Sequence, residues 1–179
     1  FDQRAQLCFV QDRSAGIYVY DTNLTLRVVT GDLVELKGVT ARGRYSPIVN
    51  LGELKVIGKG ELPNPRRVSI EELVSGRLDC QWVEVKGTIH RASEDWGHLL
   101  FELANGSSRL KVRVLQYPKG VENQFTDAKV RVRGIVGSLF NAKGQLTGFH
   151  LLVPNLVQVV VQDPPVSDPF SSPVRSIRS

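Results

Sequence analysis

One five-residue pattern, apolar–x–apolar–(Lys/Arg)–Gly, occurs three times and constrains this chain more than any other feature. The copies are Val34-Glu35-Leu36-Lys37-Gly38, Val83-Glu84-Val85-Lys86-Gly87 and Val130-Arg131-Val132-Arg133-Gly134. Each alternates apolar and polar residues, as a strand with one buried face must. Each ends in glycine at the same offset, where a strongly coiled strand bends or bulges. Three copies predict a duplicated small barrel. Gly87 is expected on strand one of the second unit, and Gly38 and Gly134 on strand four of the first and second. A strained or positive-φ backbone is the expected reason for all three.

The chain has 179 residues, enough for two small domains. Sixteen glycines, nine prolines and many short valine-rich runs favour all-β structure. No run approaches the roughly 18 apolar residues of a membrane span, and no membrane contact is expected. The net charge of +5 permits an anionic partner without requiring one. Cys8 and Cys80 are too few for a disulfide scaffold and lack metal spacing, and a buried free thiol is expected at Cys8, which lies in an apolar strand. The chain opens on Phe1 in mid-pattern, and the expectation is a piece of a longer protein.

Four divisions are predicted. Residues 1–60 form a first barrel with strands at Leu7–Val10, Ile17–Tyr20, 32–40 and 53–57. Four strands are visible, so a first strand is expected before Phe1. Residues 61–77 form a linker, in which Ser69 and Glu72 make a capping box for a short helix closed by Gly76. Residues 78–163 form a second barrel with strands at 82–91, 98–103, 109–115, 128–140 and 156–161. Asn105-Gly106 marks a hairpin turn, Asn141 to Gly144 another, and residues 117–125 a connector. Residues 164–179 are a Pro/Ser-rich connector to a further module, and Pro173-Val174-Arg175-Ser176-Ile177 echoes Pro65 to Ile70.

This order of strands, with a coiled strand ending in glycine, resembles the OB-fold. The expected fold class is all-β, with two tandem OB-fold-like five-stranded barrels joined by a short helix, the first lacking its first strand. A narrower resemblance rests on Phe9-Val10-Gln11-Asp12, Gly16-Ile17-Tyr18-Val19, Gly31 through Thr40, Leu62-Pro63, Cys80-Gln81-Trp82-Val83-Glu84-Val85 and Val174-Arg175-Ser176-Ile177. These are similar to OB repeats in the sensory regions of bacterial hybrid sensor histidine kinases, notably acidobacterial ones. The resemblance implies a sensory or protein-interaction segment on the extracytoplasmic face of a membrane-bound kinase. It implies neighbouring domains of the same chain, another protein or a small ligand as partners. No kinase motif lies in this chain, so no catalytic residue is carried over.

Alternation turns Cys8, Val10, Ile17 and Val19 inward and Phe9, Gln11, Tyr18 and Tyr20 outward. Outward aromatics on adjacent OB strands can stack unpaired bases. Packing against the linker or the other barrel is weighed above that use. In the second unit Trp82, Glu84 and Lys86, then Glu102, Lys111 and Arg113, then Lys129, Arg131 and Arg133 are set on the solvated face. The basic ones would suit a phosphate backbone, but the glutamates interrupt them. Aromatics and basic residues thus fall on different barrels, and nucleic acid is not the favoured partner. The alternatives kept are a single-strand nucleic-acid-binding pair and a structural spacer.

His90, His98 and His150 are not spaced as a metal site, and no cofactor is expected. The tip of the hairpin between His90 and His98 is read as Ser93-Glu94-Asp95. Gly58-Lys59-Gly60 lacks the spacing and the Ser or Thr of a phosphate loop. With no nucleophile elbow or paired carboxylates either, the chain reads as non-enzymatic.

Overall fold

The computed structural model describes residues 7–21 and 27–165. The alternating runs of the first unit form β1 (Cys8–Gln11), β2 (Gly16–Tyr20), β3 (Asp32–Ala41) and β4 (Ile48–Lys59). The turn between β1 and β2 is fixed by Asp12, whose Oδ1 accepts from the N–H groups of Ser14 and Ala15 and from Ser14 Oγ. Those hydrogen bonds, led by the Ser14 hydroxyl, lower the Asp12 carboxyl to about 2. The sheet runs β1-β2-β4-β3, with β2 and β4 parallel. The closing strand β4 starts five residues earlier than the expected residue 53, because it pairs along the whole of β3.

The linker contributes β5 (Arg66–Arg67) and α1 (Ile70–Val74). Ser69 caps α1, its hydroxyl accepting from Glu72 N–H at 3.1 Å. Gly76 follows the helix with φ +84, the left-handed turn that closes many helices. Ile70 and Leu73, on one face of α1, are buried in the core of the second unit.

That unit holds β6 (Trp82–Asp95), β7 (His98–Asn105), β8 (Ser108–Gln116), β9 (Lys129–Phe140), β10 (Leu146–Asn155) and β11 (Val159–Asp163). β6 pairs with β7 and β7 with β8, both antiparallel. β8 pairs with β10 in parallel, and β10 with β9 and β9 with β6 antiparallel. This closed order, first-second-third-fifth-fourth-first, is the OB connectivity. The first unit repeats its second-third-fifth-fourth part. Among the described residues no strand bridges β1 and β3. The fold is therefore all-β, two tandem OB modules with a short helix between them.

Several local expectations are corrected. The fifth barrel strand is β10, whereas 156–161 was expected. Asn155 Oδ1 instead accepts from Val157 N–H and winds Leu156–Gln158 into a 3-10 turn, after which β11 adds outside the barrel on β9. The connector 117–125, expected as a helix or loop, holds a 3-10 turn at Glu122–Gln124. The β6–β7 hairpin turns at Trp96-Gly97, because β6 keeps its pairing through Asp95. The β7–β8 turn centres on Gly106-Ser107, with Asn105 paired to Ser108. Pro173 to Ile177 and the start of the chain through residue 6 lie outside the described residues.

Gly38, Gly87 and Gly134 lie on strand four of the first module, strand one of the second and strand four of the second. None has a positive φ, which corrects the expected cause. Each is instead a point of close approach. A Cβ on Gly38 would lie 2.5 Å from the Asn50 carbonyl oxygen and 2.5 Å from Val49 Cγ1. On Gly87 it would meet Ala104 O at 2.6 Å and Leu103 Cγ at 2.9 Å, and on Gly134 Leu152 O at 2.5 Å and Leu151 Cγ at 2.8 Å. In every case the neighbours are one carbonyl and the side chain just before it. Strands cross so tightly there that only a hydrogen fits.

Candidate functional site

The two modules meet along the sequence that ends the linker. Cys80 N–H donates to Val136 O at 2.8 Å, and Trp82 N–H donates to Gln11 Oε1 at 2.7 Å. Ser46 Oγ donates to Asp79 Oδ2, and Tyr45 packs edge-on against Phe149 with ring centroids 5.1 Å apart. The Arg44 guanidinium lies 4.6 Å from the centroid of the Phe140 ring. Gly16 sits directly against the Cys80 carbonyl, and Cys80 itself holds a left-handed φ of 63°.

This junction encloses one side of a cleft of about 840 Å³. β1 and β2 turn Phe9, Tyr18 and Tyr20 into it. Phe9 and Tyr18 are opposite each other in the antiparallel pair, with centroids 5.4 Å apart and planes inclined by 57°. Burial raises the Tyr18 hydroxyl above its ordinary pKa, with the Cys8 and Tyr20 side chains adding to the effect. The β3–β4 hairpin supplies Arg42 and Arg44, and the second module supplies Arg113 from β8 and His150 from β10. Arg113 Nε and Asp79 Oδ1 are buried and have no hydrogen-bond partner. A bound group could use one as donor and the other as acceptor.

Two titratable groups of the cleft are held neutral. His150 is lowered to about 4, first by burial and then by Arg113 and Lys111. The Cys80 thiol is pushed up to about 12 by burial and by the Asp79 carboxylate. Neither is a nucleophile or a proton carrier at neutral pH in this arrangement. Among the described residues no group of three or more His, Cys, Asp or Glu side chains could hold a metal ion. Cys8 and Cys80 are both buried free thiols.

Of the residues singled out in the sequence, Phe9, Tyr18, Tyr20 and Arg113 come together in the cleft. Gln11 spans the junction beside it. Lys111, Lys129, Arg131 and Arg133 do not line the cleft. Lys111 is exposed, and Lys129 pairs with Asp163 at 3.0 Å. The expectation that Trp82 and Glu84 are solvated is corrected, since they are only 4% and 2% exposed. Glu84 is enclosed by Arg67, which arrives on the added strand β5, and by Arg131 and Arg133 from β9. The expected split of aromatics and basic residues between barrels holds for Lys111, Lys129, Arg131 and Arg133, and Arg113 alone of the five joins the aromatics of the first module. The residues that sequence reasoning missed are Arg42, Arg44 and His150. Arg42-Gly43-Arg44 was legible as a basic turn between strands, but nothing in the pattern said that this turn faces the second module.

No family model matches the chain, and a search of curated proteins finds no match. Among solved structures it is similar to an aspartyl-tRNA synthetase from Leishmania major Friedlin, at 12% identity and a TM-score of 0.47 over 63% of this chain and 23% of that one. It is also similar to asparaginyl-tRNA synthetase from Pyrococcus horikoshii, at 17% identity and a TM-score of 0.45 over 57% of this chain and 24% of that one. The chain thus spans about a quarter of the length of those proteins. Its OB assignment stands on its own strand connectivity.

Proposed function

We propose that this chain is a non-catalytic binding segment whose inter-module cleft holds single-stranded nucleic acid. The observation that carries the reading is that Phe9, Tyr18 and Tyr20 share one cleft with Arg42, Arg44 and Arg113. Aromatic faces stack bases of any sequence, and arginines neutralise the backbone between them. The unpartnered Arg113 Nε and Asp79 Oδ1 add a donor and an acceptor for the polar edge of one base.

The test is fluorescence anisotropy with labelled single-stranded DNA and RNA of about ten nucleotides, within the span expected of OB modules. Saturable binding is expected at low salt, weakening steeply as salt rises. Tyr18→Ala should cost about 1–3 kcal/mol, the contribution of one stacked base. Equal affinity for Tyr18→Ala and the parent chain would remove the cleft from the reading.

A second reading is a sensory or protein-interaction segment of a two-component sensor histidine kinase. The specific observation in its favour is where the resembling residues lie. Gln11 from Phe9-Val10-Gln11-Asp12 and Trp82 from Cys80-Gln81-Trp82 are partners at the junction. The resemblance therefore speaks for a shared two-module arrangement. The parent gene's flanking sequence discriminates the readings: a membrane span and kinase core downstream favour the second. Among the described residues no helix is long and apolar enough to cross a membrane.

A further inference from the structure

Outside the cleft, the second module carries a cluster that the proposed function does not use. Three ion pairs end on one carboxylate. Arg133 Nε donates to Glu84 Oε2 at 2.8 Å, Arg67 Nε lies 3.4 Å from Oε1, and Arg131 Nε lies 3.9 Å from Oε2. Register explains the convergence. Arg133 is directly opposite Glu84 on β9, Arg131 is opposite the neighbouring Lys86, and Arg67 is beside Glu84 on β5.

A buried carboxylate needs compensation, and one well-placed arginine supplies it. Here there are three, and none has another acidic partner among the described residues. Two guanidinium charges are left over. Arg131 Nε is buried with no hydrogen-bond partner, while the three side chains remain 29%, 39% and 79% exposed for Arg131, Arg133 and Arg67. Lys86 is exposed alongside. Of the three, only Arg133 hydrogen-bonds Glu84, while Arg67 and Arg131 approach it through Nε without a hydrogen bond. A planar fork matches a phosphate in the same way as a carboxylate.

We propose that Arg67, Arg131 and Arg133 form a phosphate-binding site on the outer face of the second module, with Glu84 as the buried counter-ion that orders them. The site is separate from the cleft and stands whether or not the cleft binds bases. Its ligand is a phosphate-bearing anion, either a free polyphosphate or the backbone of a nucleic acid.

The experiment follows the arginine Nε–H resonances of the full chain during titration with inorganic tripolyphosphate. Saturable shifts of Arg131 and Arg133 are expected, weakened at least tenfold in Arg67→Gln and Arg131→Gln. Arg67 is largely exposed, so Arg67→Gln keeps the test free of folding effects. Absent saturable shifts, or shifts untouched by both substitutions, would overturn the site. An oligonucleotide titration then identifies the source. If a backbone occupies the site, each arginine removed should lower the salt slope by about one, while Tyr18→Ala leaves the slope unchanged. If the salt slope is insensitive and tripolyphosphate binding is lost, the ligand is a free phosphoanion. Tyr18→Ala should leave the tripolyphosphate shifts intact, so failure of the cleft and failure of this site are separable.

Discussion

The Trp82 backbone N–H donates to Gln11 Oε1 at 2.7 Å, linking the two modules across 71 residues of sequence. An extended-strand residue of the first barrel thus completes the backbone pairing of the second. Beside it Gly16 touches the Cys80 carbonyl, an approach that no side chain allows.

The pair should therefore tumble as one body. Gln11→Leu keeps the size of the side chain but orphans the Trp82 N–H, and should cost about 1–3 kcal/mol. Gly16→Val forces the modules apart, because its Cβ would overlap the Cys80 carbonyl. Small-angle scattering should give a compact particle for the parent chain and a larger radius of gyration for Gly16→Val. Identical scattering from both would mean that the contact does not hold the modules.

The three repeat glycines should respond alike. Valine at Gly38, Gly87 or Gly134 places a Cβ within 2.6 Å of a carbonyl oxygen on the neighbouring strand. Relief requires that strands separate, at a cost of about 1–3 kcal/mol for each substitution. Denaturant unfolding measures it. A neutral result at Gly134, in the closed barrel, would remove the common explanation.

How far the sequence was legible follows from the range of the forces involved. The repeat with its glycines, the Ser69 cap and the strand order depend on neighbours in sequence or on alternation, and they can be read directly. Trp82 and Glu84 have the spacing of solvated residues, yet both are buried, and Glu84 meets an arginine 49 residues away. Alternation names a face but cannot say what covers it. The cleft is the same case. Tyr18 and Arg113 belong to different barrels, and only the docking fixed by Gln11, Ser46 and Cys80 puts them in one space. The surplus strand β5 was missed because two residues carry too little periodicity to register, whereas β11 was expected as a strand over 156–161 but given the place of the fifth barrel strand.

Both thiols should be inert in the folded chain. Burial raises Cys8 as well as Cys80, and the latter reaches about 12. The thiolate is the reactive form, and both are also screened from reagent. Labelling with an aromatic disulfide at pH 8 should proceed only as fast as the protein opens, and both thiols should react at once in denaturant. Rapid stoichiometric labelling of the native chain would contradict the placement of Cys80 against Asp79 and Ser46.

His150 should make stability depend on pH in a window of its own. Its pKa falls from an ordinary 6.5 to about 4 in the folded chain, because burial and the Arg113 and Lys111 charges oppose protonation. Between those values the unfolded chain binds a proton that the folded chain refuses. Stability should be complete above about 6.5 and should fall as pH drops towards 4, by on the order of 3 kcal/mol in total. The carboxylates of Asp12, Asp32 and Glu71 are lowered too, but from ordinary values of 3.8, 3.8 and 4.5, so their contributions are lost mainly below the His150 window. Denaturant unfolding between pH 7 and pH 4 should show the slope in the parent chain and a flatter curve in His150→Gln. The same protonation would add a positive charge to the cleft floor beside Arg113. If the cleft takes a nucleic acid backbone, its affinity should rise only as pH nears about 4, where the folded His150 takes up its proton, and His150→Gln should abolish that rise. A slope in stability that survives in His150→Gln would assign the titration to another group.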